Sequence, residues 1–141
     1  MFSLVITSTL ALTACARGPL QPTNLNSTQT LVQGLQQQGV AVARRGSMPR
    51  SAFPFFSVES ELLGVQGDDV HVFEYGSAAE AERDSAAVSP TGTPIGQSQI
   101  SWMDTPHFYR RDRLIVLYVG HTAEVLASLR AIMGPPFAAG Q

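Results

Sequence analysis

The sequence predicts an α+β domain, an antiparallel sheet of about four to five strands with helices packed mainly on one face. Three observations carry that prediction. Leu114-Ile115-Val116-Leu117-Tyr118-Val119 is apolar on both alternating faces, as a central strand covered on two sides must be. The runs 59–65 and 70–75 are separated by the turn-forming Gln66-Gly67-Asp68-Asp69, which makes them antiparallel neighbours. Two apolar stripes with helical spacing, near residues 28–38 and 122–133, each end at a glycine. The order of elements is α-β-β-β-α-β-β-α.

The chain opens on Phe2-Ser3-Leu4-Val5-Ile6-Thr7-Ser8-Thr9-Leu10-Ala11-Leu12, which has the length of a signal-peptide core. It is shorter than the roughly 20 apolar residues that cross a bilayer. Leu12-Thr13-Ala14 lead into Cys15, the one cysteine of the sequence. Small side chains beside the thiol let an extended backbone enter the enzymes that acylate and cleave. No Lys or Arg precedes Cys15, so either the amino terminus supplies the positive charge or the true start lies upstream of Met1. This arrangement resembles a bacterial lipoprotein signal. The resemblance implies removal of residues 1–14, a lipid on Cys15, and residence on the extracytoplasmic side of a bacterial membrane, in the periplasm or at the cell exterior. Stable anchoring takes more than one acyl chain, at about 0.8 kcal/mol per buried CH₂. A competing reading makes the same segment an ordinary buried first strand with Cys15 in the core.

Residues 15–26, with Gly18, Pro19 and Pro22, read as the lipidated cysteine and a flexible tether. Residues 27–141 make a single domain. An acylated Cys15 leaves no thiol for a disulfide, for redox chemistry or for a metal.

Within the domain, Leu31, Val32 and Leu35 form the stripe of the first helix, with Ser27 or Thr28 as its cap and Gly39 after it. Val40-Ala41-Val42-Ala43 follows as a short strand, and Gly46-Ser47-Met48-Pro49-Arg50 as a turn. Phe53-Pro54-Phe55-Phe56-Ser57-Val58 covers an edge of the core, since Pro54 cannot donate to a central ladder. In the returning strand, Val70 and Val72 share one side, while His71, Phe73 and Tyr75 share the other. Ser77-Ala78-Ala79-Glu80 has capping-box spacing and opens a second, alanine-rich helix to about Val88. Residues 89–96 are a loop. Residues 98–103 and 107–111 make one interrupted strand or two short ones, split at Asp104-Thr105-Pro106. Thr122 caps the last helix, whose buried stripe is Val125, Leu126, Leu129, Ile132 and Met133, and Gly134-Pro135-Pro136 stops it. The β-β-α-β middle portion has the character of a ferredoxin-like split unit.

Nine arginines face eleven acids in 141 residues, for a net charge of −2. A balance this close to neutral argues against nucleic acid as a partner, because phosphate backbones need a concentrated positive surface. Arg110, Arg111 and Arg113 cluster, but Asp112 interrupts them, and they read as a solvated strand face or turn more readily than as a contact for anionic lipid. The sequence has no phosphate-binding glycine loop, HExxH pair, Gly-x-Ser-x-Gly elbow or Cys/His metal spacing. No cofactor is expected.

The segment Trp102-Met103-Asp104-Thr105-Pro106-His107-Phe108-Tyr109 gathers an indole, a carboxylate, an imidazole and a phenol around a proline bend. Trp102, Asp104, His107 and Tyr109 are therefore the candidate binding surface, for an envelope protein or a small ligand. Plain aromatic packing beside a strand break explains the same residues. A small hydrolase or an enzyme inhibitor using His107 and Asp104 is the rival from another class, although no nucleophile is marked nearby. His71 reads as a half-exposed strand residue and His121 as a loop residue.

Several segments together resemble a small group of uncharacterised bacterial lipoproteins. They are Pro54-Phe55-Phe56-Ser57-Val58, Val72-Phe73-Glu74-Tyr75, Pro106-His107-Phe108-Tyr109-Arg110-Arg111, Arg113 through Gly120, and Met133 through Ala138. The resemblance implies export, an intact domain over most of residues 28–138, and no particular activity. It leaves three roles open: a non-catalytic binding module, the small enzyme or inhibitor, and a purely structural envelope domain.

Overall fold

A computed structural model describes residues 24–141. The signal segment and Cys15 lie outside the described residues. The protein is α+β, with one antiparallel six-stranded sheet and three helices. In chain order the elements are α1 (Thr28–Gln37), β1 (Val42–Met48), β2 (Ser60–Val65), β3 (Asp68–Glu74), α2 (Ala78–Ser85), β4 (Pro106–Arg111), β5 (Leu114–Val119), α3 (Ala123–Met133) and β6 (Ala138–Ala139).

Across the sheet the order is β1-β2-β3-β5-β4-β6. The β4–β5 hairpin folds back so that β5 lies between β3 and β4, with Val72 opposite Val116 and Tyr109 opposite Val116 on its other side. The connection from β3 through α2 to β4 therefore skips a strand, and so does the one from β5 through α3 to β6. The doubly apolar run 114–119 sits inside the sheet, as its composition requires.

Strand alternation divides the core in two. Leu63, Val65, Val70, Val72, Tyr109, Leu114, Val116 and Tyr118 face α1 and α3, meeting Leu31, Leu35, Val125, Leu129 and Ile132. On the other side Phe73, Tyr75, Phe108, Ile115 and Leu117 meet Ala81 of α2 and a cover of loop residues that includes Phe56, Val88 and Ile95. Two helices thus pack on one face, while one short helix and aromatic loops close the other.

Local sequence explains the helix starts. Ser27 Oγ accepts from Thr30 N–H at 3.2 Å, and Thr30 Oγ1 accepts from Ser27 N–H at 3.2 Å, a reciprocal cap. Glu74 from β3 adds a carboxylate to the same end, accepting from the N–H of Thr28 at 2.9 Å and its hydroxyl at 3.1 Å. Leu25, placed in the tether by the sequence, is fully buried, and its N–H donates to Asp112 Oδ2 at 2.8 Å. One leucine among polar residues carries no periodicity, so its burial left no pattern to read.

Several expectations are corrected. The sheet has six strands, against four or five expected. β1 begins at Val42 and runs to Met48, through Gly46, Ser47 and Met48 of the expected turn. It is an edge strand held by backbone bonds to β2, so it needs no apolar alternation, and a bulge between Arg44 and Gly46 absorbs the glycine at φ +111°. Residues 98–103 form no strand; Ser98 instead bonds locally to Ile95, and Trp102 turns inward. β6 is two residues long, too short for any periodic signal. The β2–β3 turn is also tighter than expected, because Gln66 (φ +51°) and Gly67 (φ +91°) suffice and Asp68 already belongs to β3.

Candidate functional site

The four candidate residues do not share one surface. Trp102 belongs to the loop side of the sheet. Its ring meets Phe108 edge-on at 5.8 Å, and its Nε1–H donates to Gly92 O at 3.1 Å and Thr93 Oγ1 at 3.0 Å. Gly92 is required there, since at φ +76° a Cβ would lie 3.0 Å from Pro106 and 3.1 Å from Phe108. Trp102 is a half-buried packing residue that also latches the loop.

His107 and Tyr109 lie two apart on β4 and share the opposite face, toward α3. The His107 ring stacks on Tyr118, with centroids 6.1 Å apart and planes at 19°. Its Nε2–H donates to Gly120 O at 3.0 Å, which leaves Nδ1 as the acceptor of the neutral ring. Burial lowers the His107 pKa, opposed by the Gly120 carbonyl and the nearby Asp104 charge. Tyr109 is only 2% exposed. Burial raises its pKa, and the guanidinium of Arg130 works against that rise.

Asp104 pairs with His121. His121 Nδ1–H donates to Asp104 Oδ2 at 2.9 Å, and Thr105 N–H donates to Oδ1 at 2.6 Å. These bonds, the backbone one first, hold the Asp104 carboxyl below its ordinary range. The pair borders a polar hollow of about 330 Å³ at the sheet end where β3 begins and β5 finishes. Inside that hollow Asp68 Oδ2 accepts from Thr122 Oγ1 at 2.6 Å and from Tyr118 Oη at 2.7 Å. Both hydroxyls, Thr122 foremost, lower the Asp68 pKa. Thr122, expected to cap α3, begins it without a side-chain cap bond, and its hydroxyl donates to Asp68.

The larger hollow is a groove of about 540 Å³ between α3 and the β4–β6 edge. Ala123, Leu126, Ala127 and Arg130 of α3 form one wall, Pro136 and Ala139 the other, and His107 and Tyr109 the floor. Small side chains make the space. Ala123 and Ala127 are one helical turn apart, and two-residue β6 reaches only as far as His107 and Phe108 along β4. Leu126 is half-buried here, outside the fully buried stripe of Val125, Leu129, Ile132 and Met133. The sequence reading missed Ala123, Ala127, Arg130, Pro136 and Ala139. Positions 123, 126, 127 and 130 do carry a signal, a second stripe at i, i+3, i+4 and i+7 beside the buried one.

Among the described residues no group of three or more His, Cys, Asp and Glu side chains is placed to hold a metal ion. No helix among them is long and apolar enough to cross a membrane. No protein-family model, curated protein or solved structure matches this chain.

Proposed function

We propose that the protein is a lipid-anchored, extracytoplasmic binding module without a catalytic centre, and that it captures a small ligand in the α3–β4–β6 groove. The groove itself carries the reading. Its volume of about 540 Å³ lies in the range of small-molecule sites. Its walls are mainly apolar, with a phenol, an imidazole and a guanidinium as the few polar groups that orient a ligand. Anchoring rests on the Leu12-Thr13-Ala14-Cys15 signal and on the likeness to small bacterial lipoproteins. A hydrolytic use of Asp104 and His107 has less support, since Asp104 pairs with His121 and the His107 Nε2–H is given to a backbone carbonyl.

Two measurements test the two halves. Labelled palmitate enters the wild-type protein and not Cys15→Ser, which is released or mislocalised; an unlabelled wild type retaining residues 1–14 ends the anchoring half. For the groove, small molecules extracted from purified wild type are compared by mass spectrometry with those from Ala127→Trp, whose indole fills the space. A species present in the first and lost from the second, at equal stability, is the expected result. Identical extracts refute the groove as a ligand site.

A further inference from the structure

We infer that the groove takes a small amphiphile carrying one carboxylate, with its apolar part along α3 and its carboxylate on Arg130. This deepens the binding reading above and rests on it.

The charge pattern singles out Arg130. Arg44 pairs with Glu61, Arg45 with Asp69, Arg110 with Glu82, Arg111 with Asp112 and Arg113 with Glu74. Arg130 has no carboxylate partner among the described residues, and it is the one charged residue of the groove lining, His107 being held toward its neutral form. Arg50 and Arg83 also lack one, but neither lines the groove. An unpaired guanidinium at the rim of an apolar groove is complementary to an anion with an apolar body. Its planar fork matches the two oxygens of a carboxylate.

The neighbours fix the charge count. Burial holds the Tyr109 phenol protonated, so on the groove floor it is a neutral donor. His107, kept toward its neutral form with Nε2–H given to Gly120, adds no second cation. One guanidinium balances one negative charge, and a dianionic phosphate would leave half of its charge unmatched. Ala123, Leu126 and Ala127 supply the apolar track that leads to Arg130.

The test is a titration of the purified full chain with octanoate, octanol and octylammonium, followed by backbone amide shifts. Octanoate is expected to move the amides of Leu126, Ala127 and Ala139 and to bind about tenfold more tightly than octanol, as one charge-assisted pair allows. Octylammonium is expected to bind more weakly than either. Arg130→Gln, at an exposed position, is expected to keep the fold and bring octanoate to the octanol level. Equal binding of octanoate and octanol, or full octanoate affinity in Arg130→Gln, overturns the carboxylate assignment while leaving the groove a ligand site. If none of the three probes moves those amides, this assignment falls; the extract comparison with Ala127→Trp then decides separately whether the groove binds anything else.

Discussion

The two faces of the sheet are closed in different ways. On the α1/α3 face, aliphatic side chains from two helices meet Leu63, Val65, Val70, Val72 and Val116, and the closure is regular. On the α2 face one eight-residue helix supplies little more than Ala81, and the closure comes from aromatic rings delivered by loops. Phe53, Phe56 and Phe73 interlock edge-on, with centroids of 5.4 Å and 4.6 Å from Phe73 to the other two. Asp84 fastens this cover, accepting from Ser57 N–H and from its hydroxyl, each at 2.7 Å. The Tyr75 hydroxyl beneath is enclosed without a hydrogen-bond partner. The Asp84 charge, near but outside bonding geometry, adds to the burial that pushes the phenol's ionisation up. A helix-covered face can leave a groove between regular elements; a loop-covered face is filled by rings wherever space remains.

The comparison breaks most completely at the strand both faces share. Leu117→Asp places an unpaired charge among fully buried neighbours on β5 and is expected to abolish folding of both faces together. A soluble variant with the wild-type unfolding midpoint would show that β5 is not central to stability. Next in size, Phe56→Ala removes a ring that is 1% exposed and is expected to cost about 3–5 kcal/mol, while Leu129→Ala on the other face costs about 2–5 kcal/mol. Denaturant unfolding gives the totals, and hydrogen exchange sharpens the contrast. Phe56→Ala is expected to expose loop amides at 86–105 before those of α1 and α3, and uniform loss of protection would show that the loop cover is no less cooperative than the helical layer.

The smallest effect is a pH dependence at the sheet end. The Asp68 carboxyl is held below its unfolded value by Thr122 and Tyr118. Its contribution is therefore complete above the ordinary carboxylate range and is lost as pH falls through the lowered folded value. Urea unfolding from neutral to acid pH is expected to show a shallower acid loss in Asp68→Asn than in wild type. Identical slopes would assign the acid limb to other carboxylates.

The regular face was the legible one. Leu31 and Leu35, Val125 and Leu129, and the doubly apolar 114–119 announce themselves by spacing, and Ser27 and Ser77 mark helix starts that the structure uses. Irregular closure is set by contacts far apart in sequence. Nothing near Trp102 says that its indole will latch to Gly92, and nothing near Thr122 says that Asp68 will claim its hydroxyl. The aromatic cluster at 102–109 looked like one surface because it is continuous in the chain. Alternation along β4 turns Tyr109 toward α3, while the loop before β4 lays Trp102 against Phe108 on the other side of the sheet, and the groove joins α3 to residues of β4 that lie well before it in the chain.

The bulge in β1 bears on how the molecule behaves in a crowd. A seven-residue outer strand with exposed side chains is the kind of edge on which another chain can add itself. Here the ladder slips between Arg44 and Gly46, and each guanidinium reaches inward over the sheet, Arg44 to Glu61 and Arg45 across Gly64 to Asp69. The rim is thereby bent and carries fixed charge along the stretch where a straight template would be most inviting. At the other rim β6 is two residues long, and its Ala139 N–H is already spent on Pro90 O at 2.9 Å. Both open borders of the sheet are built to resist stacking into fibrils.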